Sequence, residues 1–214
     1  AVYARNPYQS LPEMEDAIEL LDLEGVTVYE DGDEIRYTVE NPLKQIVFIP
    51  GGLVEPDSYE YLAASLAANG YNVVIAKAYF DLAILTPNRA SKFLSKDLDN
   101  VIIGHSLGGV VGSMVASGND LVDQVILLGS YPIKDITDKE VLIINAEFDL
   151  GLNQEEFDAS LIYVNDDTLF VFIVEGNHAQ FGWYGPQKGD GEATISTIEQ
   201  QELMIISILD FLSN

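Results

Sequence analysis

The sequence predicts an α/β fold, with a mainly parallel central sheet covered by helices on both faces. Three observations predict it. Short apolar runs rich in valine and isoleucine recur at residues 45–49, 72–76, 101–103, 124–128, 141–144 and 169–174. Segments with helical spacing alternate with them, and apolar strands that alternate with helices belong to a parallel sheet buried on both sides. Residues 99–118, DNVIIGHSLGGVVGSMVASG, then read as strand, sharp turn and helix in immediate succession.

In chain order, residues 1–10 read as a loose, flexible N-terminal arm and residues 13–23 as a short helix. Residues 26–29 and 35–39 alternate well enough to be strands. Between them, Glu30-Asp31-Gly32-Asp33-Glu34 lacks the spaced ligands of a calcium loop, whereas Asp-Gly between alternating runs is a hairpin turn. The strand that ends at Ile49 is followed by a helix over 58–68, closed by Asn69-Gly70. The remaining strands follow at the apolar runs. The last helix opens with Ser196 and Glu199 in capping-box spacing and carries Leu203, Ile206, Leu209 and Phe211 at near-helical intervals.

A length of 214 residues suits one α/β domain with a full core. No repeat, low-complexity tract or linker divides it, so residues 1–214 are expected to form a single domain. Cysteine is absent, which excludes disulfides, zinc–thiolate sites and thiol nucleophiles without settling the compartment. No stretch is long and apolar enough to span a bilayer. Ala1 in place of methionine is compatible with removal of an upstream signal or anchor, which would make this soluble domain exported or membrane-anchored; otherwise it is cytoplasmic.

Thirty-five acidic residues against ten basic ones give a formal net charge of -25. Phosphate contacts need lysine and arginine, so a nucleic-acid partner is excluded and an anionic membrane surface disfavoured. The acids are scattered along the chain and form a solvated surface, suited to solubility or, with so few lysines, to saline surroundings. The same field should discourage strongly anionic substrates at low salt. Nothing in the sequence signals an obligate protein partner.

The turn within residues 99–118 is Gly104-His105-Ser106-Leu107-Gly108. A serine at such an apex is held in a strained backbone conformation, so the positions two before and two after it must be very small. Both are glycine. The hydroxyl is thereby lifted above the sheet beside a helix amino end, where backbone N–H groups can stabilise an oxyanion. G-x-S-x-G alone is a common short pattern; the strand before it and the helix after it give it weight.

A serine nucleophile needs a general base and a group that orients the base. The chain has two histidines. His105 is adjacent to the serine and its side chain leaves the turn on the other side, so it is expected to pack beside the sheet in a structural role. His178 remains, on the loop just past the run 169–174, where α/β sheets carry their chemistry. The orienting acid should follow an earlier strand. Asp149, in Ala146-Glu147-Phe148-Asp149, is the candidate, and Glu147 the second choice. Asp149 also stands where it could cap a short helix near Leu152. The order Ser106, Asp149, His178 is that of an α/β-hydrolase. One oxyanion donor is expected from the N–H of Leu107. The other should come from the loop Pro50-Gly51-Gly52-Leu53, from Gly52 or, if the loop is shifted by one, from Leu53.

With these residues in place, the chain resembles the small bacterial α/β-hydrolases grouped as alpha/beta hydrolase family 5, related to the dienelactone hydrolases. The resemblance covers nearly the whole chain. It rests on Ile49-Pro50-Gly51-Gly52, on Gly104-His105-Ser106-Leu107-Gly108-Gly109, on Asp149 and, most specifically, on GNHAQFGWYGPQKGDGEATIS from Gly176 to Ser196. It implies an α/β-hydrolase fold over residues 1–214 and carboxylic-ester hydrolysis, with Ser106 as nucleophile, Asp149 as acid and His178 as base. Pro50 stands where many relatives have histidine before glycine, and Ser106 stands in place of the cysteine nucleophile of the dienelactone hydrolases proper.

α/β-Hydrolases commonly insert a lid after the strand that here ends at Leu128. Residues 129–140 leave room for a loop and a turn, not for a large lid domain. The site is therefore expected to be open on that side, without interfacial activation, and to favour small or short-chain acyl esters. Phe80, Tyr131 and Trp183 are candidate pocket walls, and Asn177 and Gln180 candidates for shaping the histidine loop. No metal or organic cofactor is called for. The same three residues would serve a thioesterase, a lactonase or a peptidase, and a hydrolase fold that had lost turnover would be a ligand-binding protein. The sequence leaves these alternatives open.

Overall fold

A computed structural model of the chain describes residues 6–78, 83 and 87–213. Helix α1 (Glu13–Glu19) ends earlier than residue 23. The Asp22 carboxylate accepts the N–H of Glu24 at 3.1 Å, and the chain bends at Gly25, φ +79°. Such a side-chain bond competes with the helix ladder. Strands β1 (Thr27–Glu30) and β2 (Glu34–Thr38) form the expected hairpin, with Glu30 opposite Ile35. The Asp31 carboxylate closes the turn by accepting the N–H groups of Asp33 and Glu34 at 2.7 and 3.1 Å.

After β3 (Gln45–Ile49), a 3₁₀ turn at Pro56–Tyr59 leads into α2 (Glu60–Ala68), so the helix expected over 58–68 begins as a tighter coil. Next come β4 (Asn72–Ala76), β5 (Asn100–His105), α3 (Leu107–Ala116), β6 (Val122–Leu128), β7 (Glu140–Ala146), α4 (Gln154–Ser160), β8 (Leu169–Ile173) and α5 (Thr197–Leu212). Ser196 and Glu199 form a complete capping box on α5. Residues 129–139 run without a helix, and no lid domain is present among the described residues.

The eight strands lie in the order β1-β2-β4-β3-β5-β6-β7-β8. The β1/β2 and β2/β4 pairs are antiparallel and all the others parallel. Alternate side chains of the central strands β3, β5, β6 and β7 enter two separate cores. On one face Phe48, Ile103, Ile126 and Ile144 pack with Met14, Leu62, Met204 and Ile208 of α1, α2 and α5. On the other, Val47, Ile102, Val125 and Ile143 pack with Val111 and Val115 of α3 and Phe157 of α4. Helix α2 is buried all round from Tyr61 to Ala67, as a helix caught between a sheet and two other helices must be.

Parallel strands release the chain at one edge, so the loops after β3, β5, β6, β7 and β8 gather there. The chain before α1 meets that edge at Tyr8 and Leu11. The Tyr8 N–H donates to the Leu53 carbonyl at 2.8 Å, and the Tyr8 carbonyl accepts from Glu55 at 2.9 Å. Leu11 donates to the Trp183 carbonyl at 2.9 Å, and the Tyr8 ring lies 5.5 Å from that of Tyr184.

Candidate active site

Ser106 sits between β5 and α3 with φ 53° and ψ −124°. A Cβ at Gly104 would lie 2.4 Å from the Gly108 carbonyl oxygen, and one at Gly108 would lie 2.0 Å from the Ile49 carbonyl oxygen. Neither position has room for a side chain. The same closeness draws the loop after β3 over the amino end of α3. The Ser106 N–H donates to the Leu128 carbonyl at 3.0 Å, and its carbonyl accepts from Ser130 Oγ at 2.6 Å. The strained apex is thus tied on both its backbone groups to the end of β6 and the loop that follows it.

Asp149 follows β7 and His178 follows β8. His178 Nδ1 stands 2.9 Å from Asp149 Oδ2 and 2.8 Å from Oδ1, and both side chains are 1% exposed. Two glycines make room for them. A Cβ at Gly129, φ +50°, would meet Asp149 Oδ2 at 2.7 Å, and one at Gly151 would meet His178 Cγ at 2.8 Å. Asp149 also accepts the Leu152 N–H at 2.8 Å. The helix that follows, α4, is capped by Asn153, which accepts from Glu155 and Glu156, so the cap considered for Asp149 belongs to Asn153. Glu147 is exposed and accepts the Glu175 N–H at 2.9 Å.

The histidine loop is fastened from several sides. Gln200 of α5, fully buried, accepts the Asn177 N–H at 2.9 Å and donates to the Asn177 carbonyl at 2.8 Å. Its neighbour Gln201 donates to the Gln180 carbonyl at 2.7 Å. Asn177 Nδ2 donates to the Gly191 carbonyl at 2.8 Å, and its Oδ1 accepts the Gln180 N–H at 3.0 Å. Asp190 accepts from Ala179 at 2.8 Å and from Leu150 at 3.3 Å, joining the loops that carry His178 and Asp149. Sequence reasoning singled out Asn177 and Gln180 but not Asp190, Gln200 or Gln201. The two glutamines stand in a run of four polar residues, Glu199 to Glu202, which reads as a solvated helix face, so no sequence signal marked them.

His105 is fully buried. Its Nδ1 is 2.8 Å from the Tyr59 hydroxyl, and its ring centroid is 4.6 Å from that of His178. Burial and, after it, the neighbouring His178 hold its pKa well below the usual 6.5, so the imidazole is neutral. The Tyr59 hydroxyl accepts the Gly51 N–H at 3.0 Å, and burial pushes the phenol pKa up. No sequence pattern marked Tyr59.

Among the described residues, none accepts a hydrogen bond from the N–H groups of Gly52, Leu53, Leu107 or Gly108. Leu107 and Gly108 follow Ser106 at the start of α3, and the loop after β3 that carries Gly52 and Leu53 lies against Gly108. Leu53 has φ 61°, a left-handed conformation uncommon for a branched side chain and typical of functional loops. No hydrogen bond joins Ser106 Oγ to His178 among the described residues; such bonds often close only with substrate in place.

Of the candidate walls, Tyr131 is half-buried and borders a cleft of about 230 Å³ with Pro132, Ile133, Glu156 and Tyr163. Trp183 is a core residue, 5% exposed and packed edge-on to Tyr61 at 4.9 Å. Phe80 lies outside the described residues. No group of three or more histidine, cysteine, aspartate or glutamate side chains placed to hold a metal ion occurs among the described residues.

The structure is similar to that of a dienelactone hydrolase from Anabaena variabilis, at 13% identity and a TM-score of 0.62 over 87% of this chain and 98% of that one. An esterase from Pyrobaculum calidifontis matches at 13% identity and a TM-score of 0.61, over 92% of this chain and 88% of that one. A ferulic acid esterase from Streptomyces cinnamoneus matches at 18% identity and a TM-score of 0.66, over 80% of this chain and 66% of that one. At such identities the likeness is one of fold. No curated protein matches in sequence. The sequence profile of the alpha/beta hydrolase family (Abhydrolase_5) matches residues 45–202, which run from β3 into α5 and include Ser106, Asp149 and His178. With that match over well more than half of its length, the chain belongs to the alpha/beta hydrolase family.

Proposed function

We propose that the protein is a serine hydrolase of carboxylic esters that works through an acyl-enzyme on Ser106. The observation that carries this reading is the contact of His178 Nδ1 with the Asp149 carboxylate, at 2.8 and 2.9 Å, in loops that emerge beside the strained Ser106 apex. Ser106 Oγ attacks the ester carbonyl carbon while its proton passes to His178 Nε2. The carbonyl electron pair moves onto oxygen, where the N–H groups of Leu107 and of Gly52 or Leu53 receive it. Asp149 keeps the proton of neutral His178 on Nδ1, leaving Nε2 free to act as base, and stabilises the imidazolium. As the carbonyl re-forms, the C–O bond to the alcohol breaks and the alcohol takes the proton from His178. Water then gives a proton to His178 and attacks the acyl carbon, and the second collapse releases the acid and restores the Ser106 hydroxyl.

Small or short-chain acyl esters suit this site best. The 129–139 segment is short and no lid domain covers the site among the described residues, so none of these residues forms an element that would open at a lipid surface. The formal charge of -25 weighs against strongly anionic substrates at low salt. The solved structures similar in fold include proteins named as esterases, which agrees with the reading.

The test is burst-phase and steady-state hydrolysis of p-nitrophenyl esters from acetate to long acyl chains, beside Ser106→Ala. The expected result is a stoichiometric burst, turnover that is best on short chains without a jump at the micellar threshold, and a loss of about 10⁴-fold or more in the variant. Equal rates in the two proteins would remove Ser106 as the nucleophile. A burst without turnover would point to a binding protein on this fold.

A further inference from the structure

Tyr59, His105 and Gly51 form a buried cluster that the reaction above does not use. The Tyr59 side chain comes from the 3₁₀ turn before α2 and is 1% exposed, with its ring 4.5 Å from that of Phe48. Its hydroxyl meets two partners, the Gly51 N–H at 3.0 Å and His105 Nδ1 at 2.8 Å. The amide can only donate, so the hydroxyl accepts there and its single proton goes to Nδ1. His105 therefore carries its own proton on Nε2. That nitrogen is buried without a hydrogen-bond partner. The His105 ring packs against His178 at 4.6 Å, with Phe181 at 5.8 Å and Tyr184 at 6.2 Å on its other contacts. Space at Gly51 is equally tight, for a Cβ there would lie 3.0 Å from both the hydroxyl and Nδ1.

We propose that Tyr59 is a positioning residue for ester hydrolysis, holding the oxyanion loop and the general base in one frame. The hydroxyl fixes Gly51, and through it the free N–H groups of Gly52 and Leu53. It also orients the neutral imidazole on which His178 rests. The two halves of the site come from loops after β3 and β8, which are not neighbours in the sheet. One hydroxyl sets their separation. A transition state needs donors and base placed together, and a misplacement on the order of 1 Å costs about 10²-fold in rate. A fully buried polar contact among close-packed rings can hold such a tolerance.

This inference rests on the ester-hydrolase reading, and the experiment separates the two. Wild type, Ser106→Ala, Tyr59→Phe, His105→Leu, His105→Asn and Tyr59→Phe/His105→Leu are compared on a short-chain p-nitrophenyl ester. Active sites are counted by end-point titration with a fluorophosphonate, so unfolded protein does not enter the rates. Tyr59→Phe is expected to lower kcat per titrated site by about 10- to 100-fold with KM within about twofold. A boronic acid that mimics the tetrahedral intermediate should lose affinity by the same factor as kcat/KM. His105→Leu should match Tyr59→Phe, and the double variant should be no slower than either single one, because both remove the same contact. His105→Asn, whose amide oxygen can stand near the place of Nδ1, should recover most of the loss. Should His105→Leu fail to fold, Tyr59→Phe and His105→Asn still decide. A Tyr59→Phe enzyme with wild-type kcat per site and wild-type boronate affinity, beside a silent Ser106→Ala, overturns the positioning role alone. A wild type with no Ser106-dependent reaction overturns the ester reading and this inference together.

Discussion

Gly151 lies on the surface without a left-handed backbone, yet a methyl group there would come within 2.8 Å of His178 Cγ. An exposed loop can yield to that methyl, but the imidazole behind it is displaced as the loop moves. Gly151→Ala is expected to keep its melting temperature within a few degrees of wild type while kcat falls by about 10- to 100-fold. Gly108 gives the opposite case. Its added Cβ would lie 2.0 Å from the Ile49 carbonyl oxygen, at a buried junction of strand and helix where neither backbone can withdraw. Gly108→Ala is expected to cost about 3 kcal/mol or more and to fail in expression or melt far below wild type. Thermal melts beside active-site titration distinguish the two. At this scale the sequence was legible where chemistry restricts residue type. Serine between spaced glycines, and one histidine left after the other is assigned to packing, are choices among few candidates. Gly151 and Tyr59 carry no such mark, because what they touch is set by loops far apart in the chain.

Helix α5 joins the two roles of packing and site. Met204 and Ile208 face the sheet, and Gln200, on the same buried side, brackets both backbone groups of Asn177 next to His178. Gln200→Leu keeps the volume but leaves a buried N–H and C=O without partners, at a cost of about 1–3 kcal/mol for each. The expected result is a clear drop in melting temperature together with a lower kcat per active site, since the loop that loosens is the one that carries His178, the proposed base. A loss of stability with unchanged kcat per site would show that Asp190 and Gln201 suffice to hold the loop. The strands and this helix were readable from the sequence because apolar runs and a capping box are local signals. The end of α1 and the 3₁₀ start of α2 were not, since each turns on a competing side-chain bond or a proline. The attachment of the chain before α1 was invisible for another reason. Its anchors are backbone groups of Leu53, Glu55 and Trp183, which any residue type would offer.

Across the whole molecule, two effects of pH on stability oppose each other. His105 is neutral in the fold, with its pKa well below 6.5, and is faced by Tyr59, Phe181, Tyr184 and His178, behind which stands Asp149. Between the folded value and 6.5 the unfolded chain binds a proton at this residue and the fold does not. Stability therefore rises with pH across the window between the folded and unfolded values, and falls by about 1.4 kcal/mol per pH unit as the medium is acidified through it. The surface works the other way. With a formal charge of -25 the folded protein repels itself, and acid relieves that repulsion as carboxylates take up protons. Salt separates the two, because it screens exposed charges over a Debye length of roughly 3 Å at 1 M and hardly reaches a buried ring. At about 1 M salt the melting temperature of wild type should fall between about pH 7 and 5.5, and that of His105→Asn should fall much less. At about 0.01 M salt the decline in wild type should be shallower, and at neutral pH added salt should raise the melting temperature of both proteins. Parallel pH slopes for wild type and His105→Asn at high salt would mean that His105 takes up its proton in the fold. The ring beneath His178 would then carry charge in acid, and the repulsion would act on His178 itself.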